Sequence, residues 1–314
     1  MKKKALIISL KGTRLTSKEM SLLTKENPWG VILFKRNLKS VDQIKLLTSK
    51  IKRLTMDKNF PILIDEEGET VSRLSSIINQ SISANFFGNL FKNDSILCLN
   101  LYRHYINSLS KILVGLGINI NTIPVLDVLR LNTNKVIGKR SFSKDKNVVK
   151  RLGDLTLEYL HQNKILGVIK HIPGHGASTS DSHKKMPKIF LSQKKLDKID
   201  FYPFKVTKAK FAMTAHILYT KLDDKHVATF SKKIIKNIIR KKIGFNGILI
   251  SDDISMKALK YNLVTNAKKS LEAGCNLVLY CSGKTNDNLK LIKSVPYIDK
   301  FTSKKTSEFY KFLR

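Results

Sequence analysis

The sequence is poor in cysteine, in acidic residues and in long apolar runs. Its three cysteines, Cys98, Cys275 and Cys281, show no C-x-x-C spacing, which indicates buried thiols in a reducing compartment rather than a disulfide scaffold. No run approaches the roughly 20 apolar residues of a membrane-spanning helix. The apolar residues 5–10 end at Lys11 without a small-residue cleavage site, which predicts a first strand and not a signal peptide. We therefore expect a cytoplasmic protein without a membrane partner.

Acidic residues are scarce relative to basic ones. The chain has 58 Lys and Arg against 24 Asp and Glu, a net charge of +34, and such a charge is typical of nucleic-acid-binding proteins. However, Lys far outnumbers Arg, whereas Arg is preferred for bidentate recognition of phosphates and bases. The lysines are spread along the whole chain, and the aromatic residues are not interleaved with them. We expect no specific nucleic-acid partner, only weak nonspecific attraction to polyanions.

The chain is rich in short apolar runs that alternate with longer amphipathic segments. Predicted strands lie within residues 5–10, 29–34, 61–64, 118–128, 165–169, 211–216, 246–253 and 276–280. Alternation of this kind predicts a parallel sheet joined by crossover helices. At 314 residues we expect a single catalytic domain of α/β class, a TIM-type (β/α)8 barrel, in which residues 285–314 form a closing helix and a basic tail. The alternative, an open doubly wound sheet, lacks a dinucleotide-binding fingerprint.

A dense group of ionisable residues follows the predicted strand at 165–169. Its members are Lys170, His171, His175, Asp181 and His183. Pro173 and Gly174 are incompatible with a helix, so we expect these side chains on a loop that leaves the strand. Their density favours a proton-transfer or ligand-binding site. A zinc site and a structural loop remain alternatives, although the loop denies the histidines the helix face of an H-E-x-x-H motif.

This group also carries a resemblance to a known family. The pattern K-H-I-P-G-H-G-x4-D-S-H-x3-P at residues 170–187 resembles the signature of glycoside hydrolase family 3, in its single-domain β-N-acetylhexosaminidase branch. Ile172 stands where that family usually has Phe. Residues 65–73 are similar to the family pattern D-x-E-G-G-x-V-x-R, but Glu69 replaces a Gly, which loses freedom for positive φ, and Thr70 replaces an Arg. Residues 138–142 match G-x-R-S-F.

The resemblance, which extends over most of residues 5–281, implies a role for each matching residue. The implied sugar-binding residues are Asp65, Arg73, Arg140, Lys170 and His171. Asp252 is implied as the nucleophile, and His183 as the proton donor and acceptor, oriented and tuned by Asp181. A carboxylate beside an imidazole favours the protonated ring and fixes its orientation, so this pair makes chemical sense as an acid.

The implied function is exo-acting, retaining hydrolysis of terminal β-linked N-acetylglucosamine from muropeptides in cell-wall recycling. The enzyme is expected to be a monomer that needs no metal and no cofactor. Retaining activity on another sugar, a metal-dependent hydrolase and a catalytically inactive polyanion-binding barrel remain open.

Three further residues carry weaker indications. Asp127 ends a P-V-L-D segment, and a structural role for it is left open. His216 ends a predicted strand and is expected to support the site through hydrogen bonds. Asp253 is expected to cap a helix at residues 254–259, because adjacent strand residues face opposite sides and only Asp252 then faces a pocket.

Overall fold

The protein, described by a computed structural model, is a closed barrel of parallel strands surrounded by helices. The structure describes residues 2–180, 186–205 and 207–314. Its strands are β1 (Lys4–Ser9), β2 (Pro28–Leu33), β3 (Ile62–Ile64), β4 (Ile120–Asn121), β5 (Leu166–Ile172), β6 (Lys188–Ile189), β7 (Phe211–Thr214), β8 (Leu218–Tyr219), β9 (Ile248–Asp253) and β10 (Leu277–Leu279). The barrel closes in the order β1-β10-β9-β7-β5-β4-β3-β2, and β6 pairs with β8 outside it. The predicted TIM-type (β/α)8 barrel is confirmed.

Helices fill the crossovers between the strands. The α-helices are Ser17–Lys25, Val41–Leu54, Ala84–Asn93, Ser95–Gly115, Lys146–Gln162, Gln193–Ile199, Leu263–Ala273, Thr285–Ser294 and Lys300–Leu313, and Ile234–Lys242 is a π-helix. Short 3₁₀ helices lie at Lys35–Asn37, Gly138–Arg140, Tyr202–Phe204 and Ala228–Phe230. The first helix begins with a capping box, in which the Thr16 hydroxyl accepts from the Glu19 N–H and the Glu19 carboxylate accepts from the Thr16 N–H. None of the described helices combines the length and apolarity needed to cross a membrane.

The barrel interior is a packed apolar core that is closed from below by the last helix. Side chains from all eight barrel strands meet inside it, and Phe309 from Lys300–Leu313 joins them. The Trp29 indole donates to the Thr306 hydroxyl at 2.9 Å, and the Trp29 and Phe211 rings meet edge to face at 5.6 Å. Trp29 and Phe211 lie at the amino-terminal ends of their strands. Residues 285–314, expected as a closing helix and a basic tail, form two helices, and the second, Lys300–Leu313, covers the end opposite the strand carboxyl termini.

Two local predictions are corrected. β5 continues through Ile172, so Lys170 and His171 lie on the strand and not on the following loop; Lys170 pairs with Met213 of β7 in the sheet register. Residues 254–259 form turns, and the next helix begins only at Leu263. In both places the extent of the strand depends on pairing and packing with neighbouring strands, and local sequence patterns do not encode those contacts.

Candidate active site

A pocket of about 170 Å³ opens at the carboxyl ends of the barrel strands, the end where parallel barrels place their functional residues. All the predicted site residues that the structure describes line it: Asp65, Arg73, Arg140, Lys170, His171 and Asp252. The predicted acid–base residue His183 and its partner Asp181 lie outside the described residues. The barrel thus brings together residues that are almost 190 positions apart in the chain.

Lys170 occupies the centre of the pocket floor. Its ammonium lies 2.6 Å from Glu67 Oε1, 2.8 Å from Thr122 Oγ1 and 3.4 Å from Asp65 Oδ1. Lys170 is 2% exposed, and a charge so buried requires partners to offset its lost hydration. Burial by itself would raise the pKa of Asp65, but Lys170 and Arg73 hold that pKa well below its usual range. Asp65 is therefore a permanent anion beside the ammonium.

Glu67 is a site residue that sequence reasoning did not single out. It forms a bidentate ion pair with Arg140, with Nε and Nη2 at 2.7 and 2.9 Å from its two oxygens. Burial opposes ionisation of Glu67, but Arg140 and Lys170 outweigh it and bring its pKa to about 2. Glu67 thereby joins two of the predicted sugar-binding residues into one rigid unit. The sequence offered one indication of Glu67, a second carboxylate two positions after Asp65 at the same predicted strand end.

The loop that follows β3 is held by Glu66 and by Arg73. The Glu66 carboxylate accepts from the Arg73 and Leu74 N–H groups at 2.7 and 2.9 Å, so it closes this loop and does not cap a helix. Arg73 reaches Asp65 at 3.2 Å and lies over the Phe34 ring, 5.1 Å from its centroid. The guanidinium is thereby positioned at the pocket wall.

The Glu69 substitution leaves the loop backbone unstrained. Positive φ falls on the preceding Gly68, at +130°, where a Cβ would meet the Ile82 carbonyl oxygen at 2.4 Å. Glu69 is not among the residues with positive φ, so the expected loss of freedom at Glu69 costs nothing. Its carboxylate instead pairs with Lys139 at 2.8 Å on the surface, which ties the loop to the segment that carries Arg140.

Asp127 anchors both pocket histidines, His171 near the end of β5 and His175 on the turn that follows it. Its Oδ2 lies 2.7 Å from His171 Nδ1, and its Oδ1 accepts from the His171 and His175 N–H groups at 3.2 and 2.6 Å. Burial lowers the pKa of His175 to about 4, although Asp127 acts in the opposite direction. Gly176 then allows a close approach, since a Cβ there would lie 1.8 Å from the Val128 carbonyl oxygen. The structural role of Asp127, which the sequence left open, is therefore specific to this site.

Asp252 is the penultimate residue of β9 and lines the pocket together with His171 and His175. Burial would raise its pKa, but His216, His171, the Asp253 N–H and Lys170 together lower it. The side chain accepts from the Asp253 N–H at 2.7 Å. An anionic carboxylate is thus available at the pocket wall.

Neighbouring His216 and Asp253 are engaged in structural contacts. His216 places Nδ1 at 2.7 Å from the Thr229 hydroxyl and Nε2 at 3.0 Å from the Asp253 carbonyl oxygen, so both ring nitrogens are occupied, as expected of a supporting residue. The Asp253 carboxylate accepts from Ser255 N, Ser255 Oγ and Cys281 N. It caps a turn and not the predicted helix. Both residues therefore hold the base of the pocket around Asp252.

The pocket is nearly neutral although the protein is strongly basic. Its carboxylates Asp65, Glu67, Asp252 and Asp253 face its cations Arg73, Arg140 and Lys170. Within residues 2–180, 186–205 and 207–314 no group of three or more His, Cys, Asp or Glu side chains is arranged to hold a metal ion. Donors and acceptors alternate around one small cavity, an arrangement that suits a polyhydroxyl ligand.

The chain is similar to known proteins in both sequence and fold. The family model described as glycosyl hydrolase family 3 N terminal domain matches residues 2–304. A β-hexosaminidase of Nitrosomonas eutropha is 33% identical over 284 residues, which cover 88% of this chain and 80% of that protein. NagZ from Neisseria gonorrhoeae, solved in complex with N-trifluoroacetyl-D-glucosamine, superposes with a TM-score of 0.90 at 29% identity over 98% of this chain and 90% of that one. The same relative with a zinc ion gives 0.89 at 28% identity, with coverages of 98% and 90%. The chain therefore belongs to glycosyl hydrolase family 3.

Proposed function

We propose that the protein is an exo-acting, retaining β-N-acetylglucosaminidase that releases terminal β-linked N-acetylglucosamine from muropeptides during peptidoglycan recycling. Membership of the family and relatives named β-hexosaminidase make the chain a glycoside hydrolase of the β-N-acetylhexosaminidase type. The finer proposal adds exo cleavage with retention of configuration, muropeptides as the substrate, and a role in peptidoglycan recycling. The enzyme acts as one catalytic domain, as a monomer in the cytoplasm, without metal or cofactor.

The observation that carries this proposal is the state of Asp252. Its carboxylate lines the pocket, and histidines and Lys170 lower its pKa against the effect of burial, so at neutral pH it is an anion next to bound ligand. A retaining glycosidase needs such a carboxylate to attack the anomeric carbon. Asp252 forms the glycosyl–enzyme bond as the glycosidic C–O bond breaks, and water later displaces the carboxylate with restored β configuration.

Proton transfer is assigned to His183, with Asp181 as its orienting partner. His183 protonates the leaving oxygen in the first step and removes a proton from the attacking water in the second, which regenerates the acid. This assignment rests on the sequence pattern D-S-H at residues 181–183. It is supported by the position of Asp252 on one wall of the pocket, because a retaining glycosidase pairs its nucleophile with a proton donor.

The remaining pocket residues hold one terminal sugar. Asp65 accepts hydrogen bonds from hydroxyl groups, and Arg73, Arg140 and Lys170 donate to sugar oxygens, each held in place by a carboxylate partner. Charge-assisted bonds of this kind are the strong ones. A small, deep cavity surrounded by fixed charges takes a single ring at a chain end, which supports exo cleavage.

A panel of aryl glycosides tests the proposal. We expect 4-nitrophenyl β-N-acetylglucosaminide to be hydrolysed far faster than the β-glucoside, and a disaccharide muropeptide to release free N-acetylglucosamine. EDTA should leave these rates unchanged. Equal rates on the two aryl glycosides would indicate another sugar preference. Loss of activity with EDTA and its recovery with zinc would indicate a metal-dependent hydrolase instead.

A further inference from the structure

We propose that Asp127 is a positioning residue that holds a proton on His171 Nδ1, so that Nε2 is the ring nitrogen presented to the sugar and, in the neutral ring, accepts its hydrogen bond. The inference rests on the proposed function for its kinetic consequence, but its structural content does not. It starts from one contact: Asp127 Oδ2 lies 2.7 Å from His171 Nδ1.

The two oxygens of Asp127 have separate partners. Oδ1 accepts from two backbone N–H groups, those of His171 at 3.2 Å and His175 at 2.6 Å. Among the described residues, Oδ2 has the His171 ring as its hydrogen-bond partner. Because Asp127 is fully buried, water does not compete for these positions. The orientation of the carboxylate is therefore set by the backbone before the ring is considered.

An ionised carboxylate only accepts hydrogen bonds, so His171 Nδ1 must carry a proton. Burial would raise the pKa of Asp127, but the His171 ring and the His175 backbone N–H outweigh burial and lower it, which keeps the acceptor-only form. His171 lines the pocket, and with Nδ1 engaged it is Nε2 that remains for a ligand. In the neutral ring Nε2 is an acceptor, which complements the cationic donors Lys170 and Arg140.

The other pocket histidine does not provide this acceptor. His175 is tied to Asp127 through its backbone only. Its own Nδ1 is buried and has no hydrogen-bond partner among the described residues, and its ring lies 5.7 Å from that of His171. The tautomer of His171 is thus governed by one side chain.

Asp127→Asn tests this with almost no change in shape. The amide oxygen should remain on the two backbone N–H groups, which turns the amide NH2 toward His171 Nδ1. Nδ1 must then accept, and the proton moves to Nε2, as in other enzymes where an Asp→Asn change imposes the wrong imidazole tautomer. In this variant the neutral His171 ring would present a donating Nε2–H to the sugar hydroxyl instead of an accepting Nε2.

Nitrogen-15 NMR of histidine-labelled protein reads the tautomer directly. His171 is assigned by the loss of its signals in His171→Gln. At a pH where the ring is neutral, we expect the wild type to show a protonated Nδ1 and an unprotonated Nε2, and Asp127→Asn to show the reverse. Asp200→Asn is the matched control, a fully buried Asp near the same turn that does not contact His171, and it should keep the wild-type pattern. A protonated Nδ1 in Asp127→Asn would overturn the proposal.

The kinetic experiment distinguishes a positioning role of Asp127 from a general effect of Asp127 on stability. We expect Asp127→Asn to lower kcat/KM on the aryl N-acetylglucosaminide by about 10²-fold. This is less than the roughly 10⁴ of a wrong tautomer at a proton-transferring histidine, because His171 binds and does not transfer protons. In a His171→Gln background the same change should cost less than about threefold. Equal losses in both backgrounds would show that Asp127 acts only through the fold. If the wild type lacks this activity altogether, the proposed function fails, and the NMR result still decides the tautomer.

Discussion

Glu67 shows at the scale of single residues how the pocket holds its charges. One carboxylate binds Arg140 through two bonds and Lys170 through a third at 2.6 Å. Its side chain is 4% exposed, so the anion that balances both cations is screened little by solvent. The orientation of two sugar-binding groups therefore depends on a residue that is expected to make no sugar contact of its own.

Glu67→Gln should reduce both stability and activity. The amide keeps the shape but removes the charge. Lys170 then has Asp65 at 3.4 Å as its remaining anion, and Arg140 loses its bidentate partner. Breaking a buried ion pair from one side typically costs about 3–5 kcal/mol. We expect urea unfolding to show a loss of that order, with a rise in KM. Glu69→Gln is the control, because its pair with Lys139 is exposed and should be worth less than about 1 kcal/mol. Equal losses in the two variants would contradict this account.

The variants of Asp252 and His183 should fail in different ways. Asp252→Ala removes the nucleophile, so no glycosyl–enzyme forms with any leaving group. His183→Ala removes proton transfer, commonly worth about 10² to 10⁴ in rate, which a dinitrophenyl leaving group scarcely needs. We expect a burst of dinitrophenolate with His183→Ala in pre-steady-state kinetics, and relief of the stalled intermediate by azide as the β-glycosyl azide.

The Asp252→Ala variant is expected to give neither a burst nor a β-configured azide product. Asp253→Asn is the matched comparison, since the Asp253 carboxylate is occupied by Ser255 and Cys281. A burst from Asp252→Ala would refute the assignment of the nucleophile. So would an inactive Asp253→Asn together with an active Asp252→Ala.

Secondary-structure elements were predicted well where one period dominates the pattern. All eight barrel strands overlap the segments predicted for them, although β4 covers only Ile120–Asn121 of the predicted 118–128. The cross-barrel pairs were not predictable. Glu67 and Arg140 are 73 residues apart, and Asp127 and His171 are 44 apart, so their contacts depend on the register of β3, β4 and β5. A strand of two residues such as β4 has no periodicity of its own to reveal that register.

The last helix contributes to stability from the end of the barrel opposite the pocket. Phe309 is 2% exposed and packs against Trp29 and Phe211, with ring centroids 6.1 Å from each. Phe309→Ala should therefore cost about 3–5 kcal/mol of unfolding free energy and leave KM unchanged below the unfolding transition. Phe301→Ala, on the same helix but 36% exposed, should cost much less. A change in KM with Phe309→Ala would show coupling between the two barrel ends.

At the scale of the whole molecule, the excess positive charge of the protein is not found in the pocket. The net charge of +34 is absent from the pocket, where four carboxylates face three cations. Positive charge on the outside opposes compaction through self-repulsion, and protonation of further groups adds to it. Any buried group that must stay neutral in the folded protein then makes acid unfolding easier, and His175 is such a group.

His175 predicts a specific dependence of stability on pH. Its pKa is about 4 in the folded protein, because burial disfavours the cation, against an ordinary 6.5. Between these values the unfolded chain binds the extra proton, so stability is complete above about pH 6.5 and falls as pH falls toward 4. One proton contributes at most about 1.4 kcal/mol per pH unit, or roughly 3 kcal/mol over the interval. Urea unfolding of wild type and His175→Asn at pH 7.5 and 4.5 measures the difference. The variant should lose less stability on acidification than the wild type, whereas parallel losses would mean that His175 is not the neutral buried group inferred here. His226→Asn, at a side chain 44% exposed, should lose stability in parallel with the wild type.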